Sequence, residues 1–265
     1  MAAPRTPATA RSRKPSKAPV TLAIDIGGTG LKASLLDNAG TMLSDRVRVE
    51  TTYPCPPVAM VQALTDLVSP LGSFDRVSVG FPGVVRNGLI LAAPHFITKH
   101  GPGTRVDKHL RADWDHFDLG VALGAAFCKP CRVINDADMQ GLDCVQGVGV
   151  EVVITLGTGL GSAIFQNGHL GPRLELSHHP LFDNITYNEY VGDAARKRIG
   201  KKKWNRRVAK TIEVLDALFF YDHLFIGGGN AGRLSIDLGT KASLIDPNAG
   251  ILGGIRLWDA QYVES

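Results

Sequence analysis

The stretches VTLAIDIGGTGLKASLLDNAG (residues 20–40) and EVVITLGTGLGSAIFQNGHLG (residues 151–171) carry one order of features: an apolar run, a glycine-rich loop, a second run, and an Asn-bearing turn. At an offset of 130, Ile24 falls on Ile154, Asp25 on Thr155 and Gly27 on Gly157. Each apolar run has the length and β-branched content of a buried strand, so both units read as strand–loop–strand and the chain reads as a duplication. Between and after them, strands alternate with helical spacing. TMLSDRVRVE (41–50) alternates as a third strand, 58–68 is helical, RVSVGFPG (76–83) is a strand running into a loop, and 119–127 is helical. RVIND (132–136) is a strand followed by a helix to about Val145. Thr186-Tyr187-Asn188-Glu189 forms a capping box for a helix expected to stop near Gly200. Val208, Ile212, Leu215 and Phe219 share one face of a later helix, and HLFIGGGN (223–230) is a strand entering a glycine turn. This alternation defines an α/β chain.

Each glycine loop exposes backbone amides with no β-carbon in the way of an anion. Gly27, Gly28, Thr29 and Gly30 form the first, with Asp25 before it, placed to hold a metal ion or its water, and Lys32 after it as a fixed positive charge. Gly157, Thr158 and Gly159 form the second, with the hydroxyls of Thr155 and Thr158 beside them. Glycine serves tight hairpins equally well, but two such loops in a repeated unit point to a grip on a chain of phosphates. Neither loop is a Walker A, because no Gly-Lys-Ser/Thr closes it. In Asn135-Asp136-Ala137-Asp138, Asp136 stands where a strand hands over to a helix. It fits either an N-cap or a base accepting a hydroxyl proton. Glu175 and His178 are three apart and would share one side of a helical turn, suited to sugar hydroxyls. The pair His178-His179 also fits metal ligation or a solvated surface, and Cys128-x-x-Cys131 lacks the partner pair that zinc requires.

The order of DIGGTG (25–30), GFPG (80–83), NDAD (135–138), LGTGLG (156–161), ELSH (175–178), IGGGN (226–230) and AGILGG (249–254) resembles the ROK family of sugar kinases and repressors, and within it the polyphosphate glucokinases. The resemblance spans residues 20–258 and implies an actin-like ATPase (ribonuclease H-like) duplicated fold with two lobes, 20–134 and 135–258, around a central cleft. It implies glucose phosphorylation at the 6-hydroxyl with Asp136 as base, and sugar binding by Asn135, Glu175 and His178. Asp25, Gly27–Gly30 and Lys32 would face the phosphates and Mg²⁺, Thr155 and Gly157–Gly159 would form the second phosphate loop, and Gly227, Gly228 and Gly229 would wall the nucleotide side in ATP users. A homodimer is implied as well. The family's cysteine-rich zinc motif is missing from 180–200, so no zinc site is expected. Ser177 replaces a usual glycine, and His95 stands where the family places a sugar-binding Asn; one hydrogen bond from His95 would remain. With no room for a helix-turn-helix before Val20, the repressor branch is disfavoured.

The formal net charge of +4 is uneven. Residues 1–19 hold five basic groups and no acid, and 196–210 (RKRIGKKKWNRRVAK) hold nine and no acid, which leaves −10 on the rest. The first segment, with Pro4, Pro7 and Pro15, reads as a disordered basic tail, as does the short 259–265 end. In the second, Lys201, Lys202, Lys203, Arg206, Arg207 and Lys210 oppose the positive end of a helix dipole and suggest an anionic partner. Inorganic polyphosphate suits such a row, a solvated face is the plainer alternative, and nucleic acid is disfavoured because only Trp204 accompanies the charges. Four cysteines and the lack of any run long enough to cross a bilayer are expected of a reduced cytoplasmic protein.

Overall fold

The computed structural model describes residues 18–182 and 184–259. Apart from residues 18, 19 and 259, the two expected tails lie outside that range.

Two five-stranded sheets carry the architecture. The first contains β1 (Thr21–Ile26), β2 (Leu31–Leu36), β3 (Val47–Val49), β4 (Arg76–Phe81) and β8 (Cys131–Asn135) in the order β3-β2-β1-β4-β8. The second contains β9 (Val150–Leu156), β10 (Leu160–Gln166), β11 (His169–Leu170), β14 (His223–Gly227) and β15 (Ala242–Leu244) in the order β11-β10-β9-β14-β15. In both, a hairpin opens the sheet antiparallel and the two later strands join it parallel. The register matches too. Asp25 lies opposite Lys32 and Gly80, while Thr155 lies opposite Gly161 and Gly227. The duplication legible in the two quoted stretches is therefore a duplication of sheet topology.

Central strands such as TLAIDI are buried along nearly their whole length, as parallel strands covered on both faces are. On the first sheet, α1 (Pro57–Val68) starts on a proline, whose missing N–H costs nothing there, and buries Met60, Leu64, Leu67 and Val68. Asp107 caps α2 (Lys108–Trp114), and Asp118 caps α3 (Leu119–Phe127). A small sheet of β5 (Val84–Arg86), β6 (Leu89–Ala92) and β7 (Phe117–Asp118) lies beyond the end of β4. Its first turn is Asn87-Gly88, both with positive φ, as a two-residue hairpin demands. Helix α4 (Asp136–Cys144) leaves β8, and the pair β12 (Pro180–Phe182) and β13 (Ile185–Thr186) precedes α5 (Tyr187–Val191). The long α6 (Asp193–Phe219) covers the second sheet with Trp204, Val208 and Leu215 buried.

Two expectations need correction. The third strand was expected over 41–50 but forms a ladder only at 47–49, with a single bridge from Met42 to Leu36 before it, because Ser44 diverts the ladder: its hydroxyl accepts from the Leu35 N–H at 3.1 Å, and its carbonyl accepts from Ser34 Oγ at 2.9 Å. The helix expected to run from Tyr187 to Gly200 stops at Val191, where Gly192 turns extended (φ −65°, ψ 169°) and α6 begins at once. The Asp193 N–H donates to the carbonyls of Gly157 and Thr158 at 3.1 and 3.2 Å, so the break lets the backbone touch the second glycine loop. Gly200 does end a helix, as expected: its φ of 77° and ψ of 161° are not helical, so α6 is two helices meeting at a kink there, in a conformation glycine adopts without strain.

After β15 the chain returns to the first sheet. Helix α7 (Ala249–Leu252) and a 3-10 segment (Gly253–Trp258) pack with α4 in a core that takes Ala23 and Leu36 from one sheet and Val153 and Phe165 from the other. Trp258 anchors this return. Its indole N–H donates to Ser78 Oγ at 2.8 Å, and the guanidinium groups of Arg132 and Arg76 lie 4.4 and 5.0 Å from its ring.

Candidate active site

A cleft of about 720 Å³ collects the ends of both hairpins and the start of α4. Asp25, Gly27–Gly30 and Lys32 line it on one side, and Thr155, Gly157–Gly159, Gly228 and Gly229 on the other. His95, Asn135, Asp136, Glu175 and His178 line it too. Gly227 does not, since it ends β14 with its α-carbon against Ile245 and Gln140. Lys201, Lys202, Lys203, Arg206, Arg207 and Lys210 also lie outside the lining. Arg207 stacks on Tyr190, 4.5 Å from the ring, and Lys210 pairs with Glu213 at 2.8 Å. Trp204 is core: it is fully buried and donates to the Val191 carbonyl at 2.7 Å.

Each loop is oriented from behind. In the first, the Gly27 N–H donates to Gly30 O at 2.9 Å and is spent closing the loop. The Gly27 and Gly28 carbonyls accept from Thr51 Oγ1 and Tyr53 Oη, both at 2.8 Å. A planar trans peptide points its N–H opposite to its C=O, so these two bonds turn the Gly28 and Thr29 amides away from Thr51 and Tyr53, neither of which lines the cleft. The second loop repeats the device: the Gly157 N–H closes on Gly159 O, and the Gly157 carbonyl accepts from Asn230 Nδ2 at 3.2 Å and from Asp193 N–H. Asn188 Oδ1 accepts the Leu160 amide at 2.8 Å and sits where a β-carbon on residue 159 would stand, so only glycine fits there. Thr51, Tyr53, Asn188, Asp193 and Asn230 were not legible as site residues. Their signal exists only in three dimensions.

The cap at α4 is Asn135, not Asp136. Asn135 Oδ1 accepts from the amides of Ala137 and Asp138, and Nδ2 donates to Gly83 O at 2.9 Å. Most of its hydrogen-bonding capacity is therefore spent on the protein, leaving one N–H for a ligand. Asp136 is thereby relieved of capping. Among the described residues it accepts only the Ala137 N–H, and its carboxyl is pushed up to about 8, first by burial and then by Asp25, with Asp138 and Glu175 adding to the rise. Burial, with His178 adding, pushes the His95 imidazole down to about 4, so it faces the cleft neutral, with one donor and one acceptor nitrogen. Asp25 Oδ2 takes the Lys32 ammonium at 2.6 Å. Asp193 holds Arg196 and Lys197 at 2.6 and 2.8 Å. Burial alone would raise the Asp193 carboxyl, but the hydrogen bonds from Lys197 and Arg196 hold it below its ordinary value.

Among the described residues no group of three or more His, Cys, Asp or Glu is arranged to hold a metal. Magnesium asks less: one carboxylate, waters and the substrate's own phosphates suffice, and Asp25 at the cleft wall fits that role. No helix among the described residues is long and apolar enough to cross a membrane.

Two matched sheets around a cleft, each hairpin closing on a glycine loop that lines it, are the actin-like ATPase fold. The ROK family pattern matches residues 21–175, and the chain belongs to that family. It is 28% identical over 218 residues to a protein named polyphosphate glucokinase from Mycobacterium tuberculosis, covering 79% of this chain and 77% of that one. Its structure is similar to that of the inorganic polyphosphate/ATP-glucomannokinase from Arthrobacter sp. strain KM, at 29% identity and a TM-score of 0.77, over 90% of this chain and 97% of the other. A ROK family glucokinase from Streptomyces griseus shares the fold at 20% identity, with a TM-score of 0.71 over 90% and 98% of the two chains.

Proposed function

We propose that the protein is a glucokinase that transfers a phosphoryl group from inorganic polyphosphate, and secondarily from ATP, to the 6-hydroxyl of glucose. The observation that carries this reading is that both glycine loops and the relieved carboxylate of Asp136 open on one cleft. Asp136 accepts the hydroxyl proton as that oxygen attacks the terminal phosphorus. Its raised proton affinity strengthens it as a base. Neutral His95, the remaining Asn135 N–H, Glu175 and His178 hold the sugar ring. Inward-facing amides of the two loops stabilise charge on the transferring group, where such reactions gain most of their rate. Magnesium, when bound with the donor at Asp25, would neutralise phosphate charge.

Polyphosphate is preferred over a nucleotide because, among the described residues, the only apolar side chains lining the cleft are Pro82, Pro94 and Leu160. Among the described residues no Phe, Tyr or Trp lines it, and its two imidazoles, His95 and His178, are the ones assigned to the sugar, so a purine has no large apolar ring to stack on, whereas cations are plentiful. The exposed Lys201–Lys203 and Arg206 would then meet only those parts of a long chain that leave the cleft. A panel of donors (long-chain polyphosphate, tripolyphosphate, ATP) against sugars (glucose, mannose, N-acetylmannosamine) tests the proposal. The expected result is sugar-dependent transfer with a higher kcat/KM for polyphosphate than for ATP. Equal or better use of ATP overturns the donor assignment, and no transfer to any sugar overturns the enzyme.

A further inference from the structure

Five cations line the cleft: Lys32, Arg48, Arg196, Lys197 and Arg233. Three of them are already paired with carboxylates of the protein, two acids against three bases. Asp25 takes Lys32, and Asp193 takes both Arg196 and Lys197. Among the described residues, Arg48 and Arg233 have no acidic partner within salt-bridge distance, and both are exposed.

Sheet register explains where Arg48 stands. Asp25 pairs with Lys32 and Lys32 with Arg48, so the three form one row across β1, β2 and β3 on the same face. The row carries the guanidinium over the first loop, its Nε and Nη2 lying 3.3 and 3.5 Å from where a β-carbon on Gly30 would be. Arg233 belongs to the opposite sheet. It closes the 3-10 turn after Gly228-Gly229-Asn230, and its carbonyl is held by Asn205 Nδ2 at 3.4 Å. Asn230 in that turn also donates to Gly157 O, tying Arg233 to the second loop.

We propose that Arg48 and Arg233 are the donor-anchoring residues of this site, two guanidinium forks on opposite sides of the cleft that grip one string of linked phosphates. The inference rests on the phosphotransferase reading and deepens it. A guanidinium fork matches phosphate oxygens in bidentate geometry and stays charged at every working pH. Their uncompensated charge is spent on a polyanion, whereas the paired cations would first have to leave a carboxylate. A base-free chain engages both forks. A single terminal diphosphate engages at most one.

The test measures tripolyphosphate and long-chain polyphosphate binding calorimetrically without sugar, for the wild type, Arg48→Gln, Arg233→Gln and the double variant. Donor and glucose KM are measured alongside. Each single variant is expected to weaken polyphosphate binding about tenfold, the size of one lost charge-assisted contact. The double variant should bind more weakly than either single. The slope of log K against log salt should flatten by about 0.7 per arginine removed. Lys108→Gln, on an exposed face of α2 outside the cleft, removes the same charge and should change nothing. The proposal is overturned if the double variant stays within twofold of wild type, or if glucose KM rises as much as donor KM. Wild type that binds tripolyphosphate through these arginines yet phosphorylates no sugar would sink the enzyme reading and leave the anchors standing. Wild type that binds no tripolyphosphate would sink the anchors.

Discussion

The Tyr53 hydroxyl donates to the Gly28 carbonyl oxygen at 2.8 Å, and that bond decides which way the Thr29 amide points. Burial, with Cys55 adding, raises the Tyr53 phenol above its ordinary value, so it remains a donor at any working pH. Tyr53→Phe keeps the ring against Phe96 and removes only the hydroxyl. One neutral hydrogen bond is worth about 1 kcal/mol, so donor KM should rise roughly fivefold. Sugar KM should hold. Steady-state kinetics with each substrate varied in turn checks this, and equal changes in both would place Tyr53 in general packing.

Asp136→Asn separates chemistry from binding. Turnover should fall by about three orders of magnitude or more, in the range a general base supplies together with the alignment it enforces. Glucose should still bind, measured calorimetrically. Retained turnover would remove Asp136 from the mechanism.

The same variant has a stability signature with a definite sign. The wild-type carboxyl titrates at about 8 when folded and at 3.8 as a free side chain. Its contribution to stability is thus complete below pH 3.8 and is lost as pH rises through 8. Asparagine mimics the neutral acid and escapes that loss. Asp136→Asn should therefore gain thermal stability over wild type from pH 5 to pH 8, then level off. In wild type, kcat/KM for the sugar should climb with pH and bend near 8. A pH-independent difference in Tm would show that Asp136 is not the group being strained.

Asn135 serves two masters, and variants can tell them apart. Asn135→Ala loses the α4 cap and the clamp on Gly83, a loss of about 2 kcal/mol in unfolding free energy. Asn135→Ser restores a cap without the clamp and should recover about half. Denaturant melts without ligand measure both, and indistinguishable variants would show the cap to be idle.

His95 should be silent in pH profiles above about pH 5, because its imidazole is already neutral. His95→Asn keeps a donor and an acceptor and should leave glucose KM within about threefold, whereas His95→Leu should raise it about tenfold. A sugar KM that titrates in wild type and not in His95→Asn would contradict this.

Much of the fold was legible because glycine loops and strand lengths are local signals. Residues 20–40 and 151–171 exposed the duplication before any contact was known, and Asn135-Asp136 was visible as a junction. What stayed hidden depends on register and on contacts far apart in sequence. Arg48 looks like one residue in an unremarkable strand until pairing with Lys32 sets it over Gly30. The basic run at 196–210 drew attention through its density, yet only Arg196 and Lys197 reach the cleft. Asp193, invisible as a functional position, already occupies them. The break at Gly192 was missed because a capping box announces where a helix begins and says nothing about what will interrupt it.

The polypeptide passes between its two sheets twice, once from β8 into α4 and once from β15 into α7, and Trp258 stitches the second passage to Ser78. A body joined at one point can swing and twist freely; joined at two, it can only fold about the line through both. Any relative movement of the two sheets would on that account be confined to a turn about that line, as of a book on its spine, with Arg48 and Arg233 on the facing pages.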